Sequence, residues 1–127
     1  MMSITVKPLH PEFVGQVTGV DLREPLDGPD VTAIENAINQ HGVLVFPGQH
    51  ITDEQQMAFS RRFGDLETTV KLYRKDYVPR LSPHVSDVSN LDQNSNIRQK
   101  NDRLRLNGLG NRLWHSDSSF KRIPARF

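Results

Sequence analysis

Asn111-Arg112-Leu113-Trp114-His115-Ser116-Asp117-Ser118-Ser119-Phe120 is the stretch on which the reading of this chain turns. It sets an imidazole and a carboxylate two residues apart, directly behind the single tryptophan of the protein. On an extended strand, residues i and i+2 point to the same side with their backbones ~6.6 Å apart. Side chains so placed converge on one ion at ~2.0–2.2 Å. Imidazole and carboxylate are a borderline-to-hard donor pair, and a second histidine would complete the facial set that leaves positions open on Fe(II). The residues also support a plainer reading, a His–Asp hydrogen bond with Ser116, Ser118 and Ser119 as turn residues. Five histidines and 15 acidic residues in 127 make roughly 0.6 such His-x-Asp/Glu pairs by chance. His10-Pro11-Glu12 has the same form, but a proline between the ligands in a turn makes it a poor site.

Composition narrows the classes. At 127 residues the chain has the size of one ordinary domain. Its apolar share of 35% implies a thin core. Sixteen basic against 15 acidic residues leave a net charge of +1, with no basic stripe of the kind nucleic acid requires. The absence of cysteine excludes disulfides and thiolate metal sites. The N-terminus MMSITVKPLH lacks the apolar run of a signal peptide, and no segment reaches the ~18–20 apolar residues of a membrane span. A cytoplasmic protein is expected.

Elements follow from periodicity. Ile4–Leu9 and, with Val17 apart, Gly15–Leu22 alternate as strands that pair as a hairpin through His10–Val14. A breaker-rich loop, Glu24–Pro29, precedes a helix capped by Asp30 and running from Val31 to His41, with Val31, Ile34, Ala37 and Ile38 on one face and Gly42 as its stop. The apolar run Val43-Leu44-Val45-Phe46 reads as a strand buried on both faces. Thr52-Asp53-Glu54-Gln55 has the form of a capping box and opens a helix to about Phe63, stopped by Gly64. From Asp65 to Gly110 the pattern weakens into long connections, with Val85 and Val88 as candidates for a short strand and Arg98–Arg105 as a solvated lid or loop face. Leu113–Phe120 reads as a strand or strand end. Ile123–Phe127 reads as a fresh element, so the chain is expected to be truncated after the His-x-Asp motif.

The octapeptide Leu113–Phe120 resembles the signature of the Fe(II)/2-oxoglutarate dioxygenases of the taurine dioxygenase group, and most of all its 2,4-dichlorophenoxyacetate dioxygenase branch. Pro8-Leu9-His10-Pro11, Val20-Asp21-Leu22-Arg23, Val43-Leu44-Val45-Phe46, Gln55-Gln56-Met57-Ala58-Phe59, Phe63-Gly64 and Asp87-Val88-Ser89-Asn90 match in the same order. The resemblance covers nearly all of the chain and a little under half of a full-length member.

The resemblance implies a mixed α/β fold, the N-terminal part of a double-stranded β-helix (jelly roll) with flanking helices, and residues 1–127 as one portion of a single catalytic domain. It implies His115 and Asp117 as the catalytic iron ligands, with Fe(II), 2-oxoglutarate and O2 as cofactor and cosubstrates. The third ligand, a histidine, and the arginine and threonine that hold 2-oxoglutarate fall beyond Phe127, so no cosubstrate-binding residue is expected in this stretch and the chain alone is expected to be inactive. Asn111 matches a position near the substrate, or else is a turn residue after Gly108 and Gly110. Lys71 and Tyr73 fall where the group builds its substrate pocket. A lysine there pairs with an anionic carboxylate as a point charge; the plain alternatives are a surface lysine and ordinary packing. Trp114 is expected to pack in the core beside the metal. His41, His50 and His84 match no ligand position, and His41 suits a helix end.

The implied reaction is hydroxylation of a small anionic organic molecule. With a phenoxyalkanoate of the 2,4-dichlorophenoxyacetate type it ends in ether cleavage. Taurine or alkylsulfate substrates are the alternative, and group members usually form homo-oligomers. A non-catalytic truncated interaction fragment is a second reading. A hydrolase using His115/Asp117 as an acid–base pair is a third, but it lacks a nucleophile elbow.

Overall fold

The computed structural model describes residues 4–68, 80–117 and 121–126. It divides into two compact units, Met1–Leu66 and Glu67–Phe127. Elements of both classes are present, so the mixed α/β expectation holds for the chain.

In the first unit, strands β1 (Thr5–Pro8) and β2 (Gly15–Thr18) pair antiparallel, with Val6 opposite Val17 and Pro8 opposite Gly15. Pro8 lacks an N–H and sits at the end of an edge strand, where none is needed. The chain then crosses through helix α1 (Gly28–His41) to a two-residue strand β3 (Leu44–Val45) lying parallel to β2, giving the order β1-β2-β3. Val17, Leu22, Leu26, Ile34 and Ala37 form the buried core between sheet and helix. It is thin, as the composition implies.

Helix α1 starts three residues before the expected Val31. Asp27, not Asp30, is the cap, and its carboxylate accepts the Asp30 N–H at 2.8 Å. Pro29 fits the first turn, where its missing N–H has no partner to lose. Asp30 becomes a first-turn acid, which the helix dipole favours. Gly42 ends the helix at φ 69°, its N–H donating to the Ile38 carbonyl. In helix α2 (Asp53–Ser60) the capping box is complete: Thr52 Oγ1 accepts from the Gln55 N–H, and Gln55 Oε1 accepts from the Thr52 N–H. The last turn tightens to a 3-10 turn, Arg61–Phe63. Phe59 links Phe46 and Phe63 edge-on, with ring centroids 5.7 and 5.2 Å away.

Beyond β2 the expected strand to Leu22 does not continue. Gly19 turns the chain at φ 81°. The backbone of residues 20–22 is satisfied by one side chain instead: Gln49 Nε2 donates to the Val20 carbonyl at 3.0 Å and Oε1 accepts from the Leu22 N–H at 2.9 Å. The doubly buried strand at Val43–Phe46 is also corrected. Only Leu44 and Val45 pair, and they lie at the sheet's end, with Val43 47% and Val45 41% exposed. No further strand of the described residues lies beyond them.

Asp21 and Arg23 form a local pair in the turn after β2. Arg23 donates to the Asp21 carboxylate through its guanidinium and its backbone N–H. The guanidinium contributes most, and the pKa of Asp21 falls from the ordinary 3.8 to about 2. The folded value lies below the unfolded one, so the pair's stabilising contribution is present above pH ~4 and is lost as pH falls through about 2. An NMR titration is expected to place the Asp21 midpoint near the latter value and to move it upward in Arg23→Met. An unmoved midpoint would mean that the guanidinium is not the cause.

In the second unit, Arg80 pairs with Asp87 at 2.9 Å and Lys121 with Glu67 at 2.9 Å. Leu91 and Ile97 form an isolated antiparallel bridge across a turn in which Asp92 Oδ1 accepts from the Asn94 and Asn96 N–H groups. Helix α3 (Arg103–Gly108), capped by Asp102, runs into a 3-10 turn, Leu109–Arg112. The expected strand at Val85 and Val88 is absent: the Val85 N–H closes a turn onto Ser82, and Val88 is exposed. No helix among the described residues is long and apolar enough to cross a membrane.

Candidate metal centre

His115 and Asp117 follow α3 and its 3-10 turn. Leu113 leaves the turn in an extended conformation, and its N–H donates to the Gly110 carbonyl at 3.0 Å. The strand expected over Leu113–Phe120 does not form among the described residues, and Asp117 lies in a turn. The two side chains therefore meet through a turn and not through the two-residue alternation of a strand.

His115 Nδ1 lies 2.8 Å from the Leu113 carbonyl oxygen. A carbonyl only accepts, so Nδ1 carries the hydrogen and donates, leaving Nε2 as the lone-pair nitrogen of the neutral ring. Nε2 lies 3.3 Å from Asp117 Oδ1. In that tautomer two acceptors face one another, which is favourable only with a proton or a cation between them. Two donors in adjacent coordination positions, each ~2.1 Å from one ion, lie ~3 Å apart, so the observed spacing suits a shared ion. The metal-ligand pattern in which the second ring nitrogen donates to a backbone carbonyl is present as well. The Asp117 side chain is 93% exposed and that of His115 47%, leaving room for further ligands. Among the described residues no third His, Cys, Asp or Glu joins the pair.

The remaining sequence candidates separate. Asn111 sits exposed in the 3-10 turn Leu109–Arg112. Lys71 and Tyr73 lie outside the described residues. Trp114 is fully exposed, so its expected core packing is overturned; hydrophobicity alone did not provide it with a neighbour. At His10-Pro11-Glu12 the Glu12 N–H donates to His10 Nδ1 at 3.1 Å, and the ring packs on Phe13 at 4.7 Å. That lone pair is already used inside a turn. The His41 ring closes the end of α1 against Gly15.

The second correction concerns Arg98–Arg105. Gln99, Lys100, Asn101 and Arg103 are exposed as expected, but Arg98, Asp102 and Arg105 are half-buried and hydrogen-bonded. Arg98 Nε donates to the Leu91 carbonyl at 2.9 Å and Nη1 to Asp102 Oδ2 at 3.1 Å, while Arg105 Nη1 donates to the Arg98 carbonyl at 2.8 Å. The signal for it was Asp102 standing before Arg103-Leu104-Arg105-Leu106, an N-cap followed by helix-forming residues.

Comparison with known proteins identifies the family. The chain is 38% identical over 127 residues to the alpha-ketoglutarate-dependent 2,4-dichlorophenoxyacetate dioxygenase of Cupriavidus pinatubonensis, covering 99% of this chain and 44% of that protein. It is 32% identical over 123 residues to the (S)-phenoxypropionate/alpha-ketoglutarate-dioxygenase of Sphingobium herbicidovorans, covering 95% of this chain and 37% of that protein. The crystal structure of AAD-2 in complex with Mn(II) and N-oxalylglycine matches with a TM-score of 0.81 and 44% identity, over 98% of this chain and 40% of that one. The chain thus spans well under half the length of the proteins it matches. The family model of the taurine catabolism dioxygenases matches residues 5–127, and the chain belongs to that TauD, TfdA family.

Proposed function

We propose that this chain is the N-terminal portion, through the His-x-Asp pair, of the single catalytic domain of an Fe(II)- and 2-oxoglutarate-dependent dioxygenase. The observation that carries the reading is the 3.3 Å approach of His115 Nε2 to Asp117 Oδ1, in a chain similar along its whole length to such dioxygenases. His115 and Asp117 hold the iron, and the Leu113 carbonyl fixes the imidazole tautomer that presents Nε2. When bound, iron would activate O2 with 2-oxoglutarate as the two-electron co-reductant, so that one oxygen atom enters a substrate C–H bond and the other enters succinate. The complete fold is a jelly roll with the helices of this chain on its flank, in a cytoplasmic enzyme whose subunits associate without nucleic acid or membrane partners.

The substrate is a small organic anion, most specifically a phenoxyalkanoate such as 2,4-dichlorophenoxyacetate. Hydroxylation of the carbon beside the ether oxygen gives a hemiacetal that collapses to a phenol and glyoxylate, while 2-oxoglutarate becomes succinate and CO2. Asn111, Lys71 and Tyr73 line the substrate side, with Lys71 positioned in sequence to pair with the carboxylate. The 127-residue chain by itself does not turn over, because two ligands leave iron weakly held.

The test uses the product of the complete reading frame. Anaerobically loaded with Fe(II), it is expected to convert 2-oxoglutarate to succinate only with O2, and to release a phenol and glyoxylate from 2,4-dichlorophenoxyacetate. Succinate formed with taurine or an alkylsulfate in place of the phenoxyacetate moves the substrate to the alternative branch. No oxygen-dependent succinate with any of these anions removes the dioxygenase reading.

A further inference from the structure

We propose that Arg98 is a positioning residue for the His115–Asp117 pair, acting through the capped base of α3; the proposal rests on the metal reading above. Leu106, Leu109, Leu113 and Trp114, which lie between that base and the pair, are all exposed. Among the described residues, neither α3 nor the turn that follows it holds a fully buried side chain. A helix of six residues is far shorter than the ~12–15 that are marginal even alone in water, so its ends decide whether it forms.

Arg98 supplies the anchor at the first end. Its side chain is only 19% exposed. Its fork spans two elements, the carbonyl of Leu91 and the Oδ2 of Asp102. The other oxygen of Asp102 caps α3, accepting from the Leu104 and Arg105 N–H groups at 2.8 and 3.1 Å. One carboxylate thus joins the guanidinium to the helix N-terminus. Arg105, one turn into α3, returns to the Arg98 carbonyl, and the Arg98 N–H donates to Asn90. These bonds fix Arg98 from its backbone and its side chain together. From Asp102 the backbone continues without a break through α3 and the 3-10 turn to Leu113, whose carbonyl sets the His115 ring. A displacement of the base moves the imidazole with it.

Lysine keeps the charge of arginine at position 98 but not the planar fork, so it cannot reach Leu91 and Asp102 together. The experiment uses the complete protein and Mn(II), with binding followed by loss of the free-ion EPR signal and Tm measured alongside. Arg98→Lys is expected to weaken Mn(II) binding roughly 3–10-fold, at or below the ~10–100-fold typical of a direct outer-shell partner. Arg80→Met breaks another ion pair of the same unit. It serves as the structural control and is expected to leave Mn(II) affinity within about twofold even where it lowers Tm, as single ion pairs do.

Unchanged affinity in Arg98→Lys, or equal weakening in Arg80→Met, overturns the role of Arg98. His115→Ala separates the two layers. Mn(II) binding that survives His115→Ala removes the metal reading itself. Binding lost in His115→Ala but intact in Arg98→Lys removes the positioning role alone.

Discussion

On the proposed metal reading, replacing His115 with alanine is expected to abolish divalent-ion binding. Nε2 is the lone-pair nitrogen of the pair, and the Leu113 carbonyl holds it in that state. Without the ring, Asp117 is a single, nearly fully exposed carboxylate that has lost its pairing with His115. Such a group holds an ion no better than other surface acids. In the complete protein the loss exceeds the roughly 10–100-fold caused by removing an outer-shell partner, because here a direct ligand is gone. Asp117→Asn preserves shape and removes charge, and it is expected to act in the same direction. Alanine at His10 is the control: its Nδ1 already accepts the Glu12 N–H, so ion binding should not change. Mn(II) titrations of the three variants decide the matter. A His115→Ala protein that binds like its parent ends the assignment, as does a His10→Ala protein that loses the ion.

Local and non-local information separate clearly along this chain. The capping box at Thr52–Gln55 was legible because its partners lie three residues apart and satisfy each other. The hairpin was legible as two alternating stretches, but Val17, which breaks the alternation of its own stretch, is the residue the fold buries most deeply. The start of α1 was not, since Asp27 and Asp30 flank Pro29 and either carboxylate fits the pattern; the hydrogen bond to the Asp30 N–H decides for Asp27. Val43–Phe46 has the composition of a covered strand, yet cover depends on what lies opposite, and that is not written in four residues. The pairing of His115 with Asp117 was legible as a spacing, but the strand inferred to produce it was not the route; a turn brings the groups together. Arg98 and Asp102 escaped notice because their order comes from a guanidinium fork and a cap, and neither leaves an apolar period. Lys71 and Tyr73 lie where only the resemblance speaks.

Gly15→Ala destabilises the first unit by about 1–3 kcal/mol, the usual range for overfilling a packed site. Gly15 is buried at the point where all three strands and the end of α1 meet: it pairs with Pro8 and Leu44, and its N–H donates to the Val43 carbonyl. A methyl there would stand 2.9 Å from His41 Cδ2 and 3.0 Å from Val6 Cγ1. The His41 ring is the nearer of the two. His41 is tied through its own carbonyl, which accepts the Val14 N–H at 2.9 Å. Val14 is itself held at φ 69°, a conformation that a β-branched residue adopts only under constraint. Relaxing the clash by shifting the backbone would disturb that strained residue, so most of the penalty stays with the ring. It follows that His41→Ala, which removes the ring and leaves the carbonyl, relieves the greater part of the Gly15→Ala penalty. The two changes are then expected to be strongly non-additive in a double-mutant cycle, as contacting residues are. Urea unfolding of the four proteins measures the coupling. A Gly15→Ala penalty of the same size with and without His41 would show that the glycine answers to Val6 or to its backbone, and not to the helix end.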